Sequence, residues 1–276
     1  MNTSRGIFSP NTFPNLFNFW NRFPEAVIIA GATELLHFQA KRIPEFPETI
    51  LLLDRMEELQ KIDRTERFLE LGAMVSLSRI ASLGKIVPTV LLQCINEVAD
   101  IYIQNLATIG GNIACNGDLI APLVALGASY EIRSGTIPPR RIPASRFLSI
   151  KNELKSQELI SRVLIPFEQW DYAQFRKFHD PTPDHPSVLA LLLARVERDI
   201  LTDLRVAVSG TSFSFYHDRE KCILVSERLP IKKRDIRAFM ESWKNSPATL
   251  EALKDNTFQN SIINFIYFAL LSGLSE

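Results

Sequence analysis

Short apolar runs bounded by small or polar residues predict buried strands near the start of the chain. VIIA (27–30) and TILLLD (49–54) are runs of this kind. ELLHFQAKR (34–42) lies between them and predicts a helix, which Pro44 and Pro47 end. The chain therefore begins with an arm rich in Phe and Pro and continues as a compact βαβ-like segment.

Helix caps and helical spacing of apolar residues predict the elements between residues 68 and 100, and a further strand follows at 158–166. FLELGAMVSLSRIAS (68–82) predicts a strand, a turn at Gly72 and a helix opened by Ser76, a favoured N-cap residue. Apolar residues three to four positions apart predict a helix over 87–100. ELISRVLIP (158–166) predicts an apolar strand that ends at a proline.

The pattern changes at about Phe167, where strand-like pieces with tight turns begin and helices close the chain. The predicted strands are AQFRKF (173–178), SVLALLLARVER (187–198), LRVAVSGTSFSFY (204–216) and KCILVSERLP (221–230), and the predicted helices are 232–245, 247–255 and 258–273. The apolar stretch 261–274 is too short to span a bilayer and predicts a buried helix. The whole predicts an α+β fold in three parts, 1–55, 56–166 and 167–276.

Composition narrows the class of protein. The 276 residues are 46% hydrophobic and 22% charged, which is typical of a globular protein. Basic and acidic residues balance at 31 each, so charge gives no support for a nucleic-acid or membrane-surface partner. The N-terminus has no basic region followed by an apolar run, so no signal peptide is predicted.

The metal-binding residue types are scattered. Cys94, Cys115 and Cys222 form no CxxC pair, which argues against disulfides and against iron–sulfur or zinc sites on this chain and predicts a cytoplasmic location. The histidines also lack metal-ligand spacing; they are His37, His179, His185 and His217. No catalytic residue and no metal ligand are predicted.

Two turns of small residues are the candidate binding segments: AGAT (30–33) and ATIGGNIACNG (107–117). Such turns let backbone N–H groups face an anion, especially before a helix. Either turn alone is more often a plain loop, but two together favour a diphosphate site. Neither matches GxGxxG or the P-loop. Asp118 follows the second turn and could fix a ribose hydroxyl or cap the next helix, and local pattern favours the cap.

The two turns, with their neighbours and in this order, resemble a known family. IIAGATELLHFQAKR, LELGAMVSLSRIA, IQNLATIGGNIACNGDLIAPLVALGA and ELISRVLIP are similar to segments of the FAD-binding subunits or domains of molybdenum hydroxylases, of the xanthine dehydrogenase and carbon monoxide dehydrogenase flavoprotein type. The resemblance covers roughly residues 5–225.

The resemblance implies a fold and a function. Two N-terminal α+β subdomains, 1–55 and 56–166, would hold FAD in a p-cresol methylhydroxylase/vanillyl-alcohol-oxidase-like FAD-binding fold. The third, 167–276, would carry a small antiparallel sheet and helices, as in the C-terminal part of the carbon monoxide dehydrogenase flavoprotein. The flavin would receive electrons from iron–sulfur clusters on a partner chain, supplied by a molybdopterin subunit, and pass them to an acceptor such as NAD.

The resemblance also implies the residues of the FAD site. The first turn would wrap the diphosphate and the second would form the facing wall. For Asp118 the resemblance shifts the weight from a helix cap towards a ligand contact. The implied residues are Ile28, Ile29, Ala30, Gly31, Ala32, Thr33, Glu34, Leu35, Ala107, Thr108, Ile109, Gly110, Gly111, Asn112, Cys115, Asp118, Ile160 and Lys177.

The chain departs from the family pattern at both turns. Ala32 replaces the second glycine of the first turn, which costs about 1–2 kcal/mol if the backbone there is left-handed. CNGD (115–118) replaces a longer loop before the acid. These departures leave open an alternative function, a structural or assembly subunit that has lost tight FAD binding. A stand-alone flavin oxidase ranks last because the sequence offers no base.

Overall fold

The chain divides into two units in a computed structural model that describes residues 6–38, 46–135, 137–150, 157–179, 187–209, 214–217, 222–254 and 257–275. Unit 1 comprises Met1–Leu119 and Gly127–Phe167. Unit 2 comprises Ile120–Leu126 and Glu168–Glu276. Unit 2 is therefore built from two separate stretches of sequence.

The first sheet of unit 1 is parallel. Its strands are β1 (Gly6–Phe8), β2 (Val27–Ile29) and β3 (Thr49–Leu52), in the order β1-β3-β2. Helix α1 (Phe13–Arg22) follows β1, and α2 (Thr33–Phe38) follows β2. Thr12 caps α1 by accepting a hydrogen bond from the Asn15 N–H, and helical spacing buries the apolar residues Phe13, Leu16, Phe17 and Trp20 together with Leu51 of β3.

The second sheet of unit 1 is antiparallel. Its order is β4-β5-β8-β6-β7, with β4 (Ile62–Arg64), β5 (Phe68–Gly72), β6 (Ser129–Arg133), β7 (Arg140–Pro143) and β8 (Leu159–Pro166). Its helices are α3 (Leu77–Ser82), α4 (Thr89–Val98), α5 (Ile101–Leu106), α6 (Ile109–Ala114) and α8 (Ala144–Ile150), and 3₁₀ turns lie at Glu57–Gln60 and Gly84–Ile86. Alternation along β6 buries Tyr130 and Ile132.

Unit 2 contains an antiparallel sheet of order β12-β11-β10-β9. The strands are β9 (Tyr172–Phe178), β10 (Val188–Glu197), β11 (Ile200–Ser209) and β12 (Ser214–Tyr216), and the helices are α7 (Ile120–Ala125), α9 (Lys233–Lys244), α10 (Pro247–Leu253) and α11 (Gln259–Leu274). One face of β10 and β11 shares a core with α9 and α11, in which Leu192, Val206 and Trp243 are buried. Helix α7 packs against β10, β11 and β12.

A partly buried cluster of charged side chains around Trp170 holds the start of the second stretch of unit 2. We define this Arg205 cluster as Glu168, Trp170, Arg195, Asp203 and Arg205. Arg205 Nη2 donates to Asp203 Oδ2 at 3.1 Å and to Glu168 Oε2 at 3.3 Å. The Arg195 and Arg205 guanidinium groups lie 4.7 and 4.6 Å from the centroid of the Trp170 ring, within the range of cation–π attraction.

Arg205 also reaches the first stretch of unit 2. Its Nη1 donates to the carbonyl oxygen of Ala125, the last residue of α7, at 2.7 Å. The Arg205 side chain is 8% exposed, and that of Asp203 is fully buried with Oδ1 3.0 Å from His217 Nε2. Arg205 thus ties α7, β11 and the segment before β9 together inside unit 2.

Most element predictions are confirmed. The strands at 27–30 and 49–54, the Ser76 cap and the three closing helices are all present, with small shifts at their ends. The parts of the predictions that cover 39–45, 180–186, 210–213, 221 and 255, including Pro44 and His185, lie outside the described residues. The predicted buried helix over 261–274 corresponds to α11, and in the described ranges each helix lacks the length or apolarity to cross a bilayer.

Two element predictions are wrong. The stretch KCILVSERLP (221–230) is not a strand in its described part, because it turns at residues 223–226 and Ser226 has a φ of 77°. The second small-residue turn (107–117) contains helix α6 at Ile109–Ala114, since Thr108 caps it. The β-branched residues of 221–230 favour a strand, and the glycines of 107–117 disfavour a helix. In both segments the tertiary structure overrides this local preference.

Candidate functional site

The first loop of the candidate site leads from β2 into α2. Strand β2 ends at Ile29, residues 30–32 turn, and α2 begins at Thr33. Ala32 has a φ of 56°, the left-handed conformation that glycine adopts without cost. The turn therefore follows the path expected of a glycine although an alanine stands there.

The backbone N–H groups of this first loop stay available. Within the described part of the chain, the N–H groups of residues 31–35 have no hydrogen-bond acceptor, and the first backbone bond of α2 runs from the Leu36 N–H to the Ala32 carbonyl at 3.0 Å. The donors at residues 32–35 are those that a helix start always lacks, and the Gly31 N–H precedes them. Five successive donors thus stand at one wall of the site.

The second loop uses its donors differently. The N–H groups of Ile109 and Gly110 donate to the Val75 and Ala73 carbonyls at 3.0 and 2.9 Å, and the Gly111 N–H donates to Thr108 Oγ1 at 3.1 Å. These bonds fix the start of α6 to the turn that follows β5. The second loop is consequently a rigid wall, and its backbone donors at 109–111 are occupied within the protein.

The two loops touch through Gly31. A Cβ atom added there would lie 1.8 Å from the carbonyl oxygen of Leu106 and 3.3 Å from the Ala107 nitrogen. No side chain fits in that space, so glycine is required by the close approach of the two backbones. The approach brings the free donors of the first loop beside the second loop.

The short loop CNGD closes over α6. The Gly117 N–H donates to the Asn112 carbonyl at 2.7 Å, and the Leu119 N–H donates to Asn112 Oδ1 at 3.1 Å. Asn116 has a φ of 58°, which asparagine tolerates better than most residues. Asn112 therefore ties the C-terminal side of the shortened loop back to α6.

These loops, with the start of β8, surround a cleft of about 370 Å³ in unit 1. Its lining is mostly apolar and backbone. The lining residues are Val27, Ile28, Ile29, Ala30, Gly31, Ala32, Thr33, Glu34, Leu35, Leu53, Ala73, Met74, Ala107, Thr108, Gly110, Gly111, Asn112, Ala114, Cys115, Gly117, Phe147, Glu158, Leu159 and Ile160. In the described ranges, no group of three or more His, Cys, Asp or Glu side chains could hold a metal ion.

The cleft gathers most of the residues implied at the FAD site. Three of them do not line it: Ile109, Asp118 and Lys177. Ile109 is fully buried in α6, Asp118 is the last residue of the CNGD loop, and Lys177 lies on β9 in unit 2. Their role as FAD contacts stays a prediction.

Several lining residues were missed from the sequence, chiefly Met74, Phe147 and Glu158. Met74 follows the Gly72 turn, and Phe147 lies in α8 with its ring centroid 5.0 Å from that of Tyr130. Glu158 directly precedes β8, whose Leu159 and Ile160 line the cleft. Only Glu158, as the first residue of the predicted strand 158–166, gave a signal, because the other two reach the cleft through tertiary packing.

Asp118 acts on a buried thiol. Burial raises the pKa of Cys94, on α4, to about 12, and the negative charges of Asp118 and then Glu97 add to the rise. A thiol with this pKa is thiolate in about one part in ten thousand at pH 8. Cys115, in contrast, is exposed at the mouth of the cleft.

Alkylation of the folded protein at pH 8 is therefore expected to modify Cys115 and to spare Cys94 and Cys222, which are buried. Peptide mass spectrometry after treatment with iodoacetamide measures this. Denatured protein serves as the control and should react at all three positions. Rapid modification of Cys94 in the folded protein would contradict the burial described above.

Replacing Ala32 by glycine is expected to stabilise the protein by about 0.5–1 kcal/mol. Removing the left-handed strain at this position stabilises the folded state by about 1–2 kcal/mol. Glycine also makes the unfolded chain more flexible, and this offsets about 0.4–1 kcal/mol of the gain. Thermal unfolding should shift upward by roughly 1–3 °C. The matched control is Ala30→Gly, which relieves no backbone strain and should lower the thermal unfolding temperature. A lower unfolding temperature for Ala32→Gly would argue against strain at this turn.

The cleft and its unit match known proteins. The family model described as the FAD binding domain in molybdopterin dehydrogenase matches residues 2–168. Aldehyde oxidase 1 of Macaca fascicularis is 31% identical over 179 residues, which are 59% of this chain and 13% of that protein. The nicotinate dehydrogenase FAD-subunit of Eubacterium barkeri is 26% identical over 173 residues, or 58% of this chain and 57% of that one.

A solved structure extends the likeness to the whole chain. Quinoline 2-oxidoreductase from Pseudomonas putida 86 superposes with a TM-score of 0.79 at 21% identity, covering 98% of this chain and 96% of that chain. This likeness shows a shared fold. The chain spans 13% of the length of the aldehyde oxidase 1 that it matches. With the family model covering more than half of its residues, the chain belongs to the family of FAD-binding domains of molybdopterin dehydrogenases.

Proposed function

We propose that this chain is the FAD-binding electron-transfer subunit of a multi-subunit, molybdenum-dependent hydroxylase or dehydrogenase. It would act in the cytoplasm with an iron–sulfur subunit and a molybdopterin-binding subunit, and pass electrons from the iron–sulfur clusters to an acceptor such as NAD. Residues 1–55 and 56–166 would form the two FAD-binding subdomains, and 167–276 the C-terminal subdomain. Family membership and the geometry of the cleft support this function.

One observation carries the proposal: the row of backbone N–H groups at residues 31–35, which face no acceptor within the described residues. A diphosphate accepts hydrogen bonds from several donors at once, and successive N–H groups in a turn form an anion-binding concavity. Thr33, at the start of α2, adds a hydroxyl donor beside them. The donor set therefore fits the diphosphate of FAD.

The remaining walls fit the apolar parts of a dinucleotide. The second loop presents the small residues Ala107, Gly110 and Gly111, so a planar ring can approach the backbone closely. Met74, Leu159 and Ile160 add apolar surface, which is typical of cofactor sites. When bound, FAD supplies the redox chemistry, and the chain binds, orients and shields it.

The structural or assembly alternative has less support. It rested on Ala32 and on the short CNGD loop. Ala32 keeps the left-handed backbone that glycine would adopt, and Asn112 holds the short loop against α6. Both features preserve the donor row and the cleft, which favours FAD binding.

Titration of the purified chain with FAD tests the function. The expected result is one FAD per chain, seen as a change in flavin fluorescence and as a rise in the thermal transition. Co-purification of an iron–sulfur chain and a molybdopterin chain, and bleaching of the flavin by NADH in that complex, test the partners and the acceptor. Absence of FAD uptake by a folded chain would contradict the proposal and favour the assembly role.

A further inference from the structure

The last turn of helix α1 receives a hydrogen bond from a distant part of the chain. The carbonyl oxygen of Trp20 lies in this turn, where a helix has carbonyls without an N–H donor of their own. The residue four positions ahead is Pro24, which has no backbone N–H to donate. The donor is instead Gln157, whose Nε2 lies 3.0 Å from the Trp20 oxygen. A side chain 137 positions away thus completes the end of α1.

Gln157 makes this bond from a strained backbone. Its φ is 68°, the left-handed conformation that a residue with a Cβ atom adopts only at a cost. Such a conformation persists where the surrounding structure imposes it, and it is often found near functional sites. Directly after Gln157 come three residues that line the cleft: Glu158, Leu159 and Ile160. The bond to Trp20 therefore acts at the point where the chain enters the cleft wall.

The same stretch of cleft wall packs on α1. The first residues of β8 pair with β6, whereas the ladder with β5 begins only at Arg162. On the α1 side, Leu159 shares a core with Trp20 and Leu53, and Ile28 packs against that core. Leu159, Leu53 and Ile28 also line the cleft. The hydrogen bond and this core together join the start of β8 to α1 and the parallel sheet.

We infer that Gln157 is a positioning residue of the FAD site. Its hydrogen bond to Trp20 fixes the start of β8 before the cofactor arrives, so binding does not have to order this part of the wall. Preorganisation of this kind raises affinity. Gln157 acts through the residues that follow it, since the lining of this wall begins at Glu158. The inference rests on the proposed function, because it takes FAD as the ligand of the cleft.

Two substitutions separate the hydrogen bond of Gln157 from its backbone strain. Gln157→Met keeps the length of the side chain and the strained backbone but removes the donor. Gln157→Asn keeps an amide that is one methylene too short to reach Trp20, and asparagine tolerates a positive φ better. Both variants are expected to bind FAD about threefold to tenfold more weakly, the effect of one neutral hydrogen bond. The loss should appear mainly as faster release of FAD.

Stability without FAD distinguishes positioning from a purely structural role. Gln157→Met should lower the thermal unfolding temperature, whereas Gln157→Asn should stay close to the wild type because relief of strain offsets the lost bond. If affinity merely followed stability, Gln157→Asn would bind FAD as tightly as the wild type, and that result would overturn the inference. Wild-type affinity in Gln157→Met would also overturn it. If Gln157→Met fails to fold, Gln157→Asn decides alone.

The matched control is Arg198→Met. Arg198 also has a left-handed backbone, with a φ of 53°, but it lies in the exposed turn between β10 and β11 of unit 2. This variant should keep wild-type FAD affinity, and a loss equal to that of the Gln157 variants would overturn the inference. Fluorescence titration and stopped-flow release of FAD measure all four chains. A wild-type chain that binds no FAD would refute the proposed function, whereas wild-type binding with unaffected Gln157 variants refutes only the role of Gln157.

Discussion

Replacing Gly31 by alanine is expected to lower FAD affinity by about two orders of magnitude or more and to destabilise the fold. The added Cβ would lie 1.8 Å from the Leu106 carbonyl oxygen and 2.7 Å from its carbonyl carbon, so one backbone must move by more than an ångström. Overpacking of this kind costs about 1–3 kcal/mol, occasionally more.

The second loop cannot move away cheaply. The Ala107 N–H donates to the Ile103 carbonyl at 2.7 Å, and the Ala107 carbonyl accepts from the Leu77 N–H at 2.9 Å. The strain is therefore expected to displace the first loop, which carries the free donors at residues 31–35. Flavin fluorescence titration and thermal unfolding measure the two effects.

Gly84→Ala is the matched control. Gly84 has a φ of 57°, an added Cβ would meet no atom within 4 Å, and the residue does not line the cleft. The control should lose about 1–2 kcal/mol of stability through backbone strain and keep its FAD affinity. Wild-type affinity in Gly31→Ala would mean that the two loops are not in close contact in solution.

Replacing Arg205 by methionine is expected to destabilise unit 2 by about 3–5 kcal/mol. Arg205 donates to Asp203, Glu168 and the Ala125 carbonyl, and its loss removes a bonded cation from the fully buried Asp203 carboxylate. Removing one partner of a buried ion pair costs this much because the remaining charge stays desolvated. Urea denaturation followed by tryptophan fluorescence measures the loss.

Arg195→Met is the control for this second prediction. Arg195 stacks on the same Trp170 ring and donates to Glu168 Oε2 at 2.9 Å, but its side chain is 24% exposed, against 8% for Arg205. Its loss should cost only about 1–2 kcal/mol. The double variant Arg205→Met/Asp203→Asn should be more stable than Arg205→Met alone. If this double variant and the two single variants all lose the same free energy of unfolding, buried charge is not the cause.

Local sequence signals sufficed where an element is defined by its own residues. The runs 27–30 and 49–54 are apolar, short and bounded by turn residues, and they form β2 and β3. Ser76 was recognised as an N-cap, and its side chain accepts from the Arg79 N–H at 3.3 Å. The three predicted closing helices correspond to α9, α10 and α11.

Helix α6 was hidden by its own composition. Gly110 and Gly111 are poor helix formers and suggested a turn, although Thr108 before them is a good N-cap residue. The bonds from Ile109 and Gly110 to the Val75 and Ala73 carbonyls stabilise the helix start from outside. Such support comes from residues more than thirty positions away, and no local pattern reveals it.

Charge pairing was the other feature that the sequence could not supply. Glu158 and Arg140 are 18 residues apart and meet only because β6 lies between their strands. Arg205 and Asp203 lie in β11, whose other residues are mostly apolar. Two of the groups that Arg205 bonds, Glu168 and the Ala125 carbonyl of α7, come from other parts of the chain. The candidate site could thus be located from its two turns, but its electrostatics required the sheet order.

The inserted position of α7 has a consequence for how the chain is made. All six residues of α7 are buried, and its partners β10 and β11 begin at Val188 and Ile200. During synthesis this apolar helix leaves the ribosome well before those strands exist, so it must wait undocked while unit 1 is still being completed. The family match ends at residue 168, yet α7 belongs to unit 2. Consider a chimera of two homologues that are joined at residue 168. Its α7 would come from one homologue, whereas the unit 2 sheet on which α7 packs would come from the other.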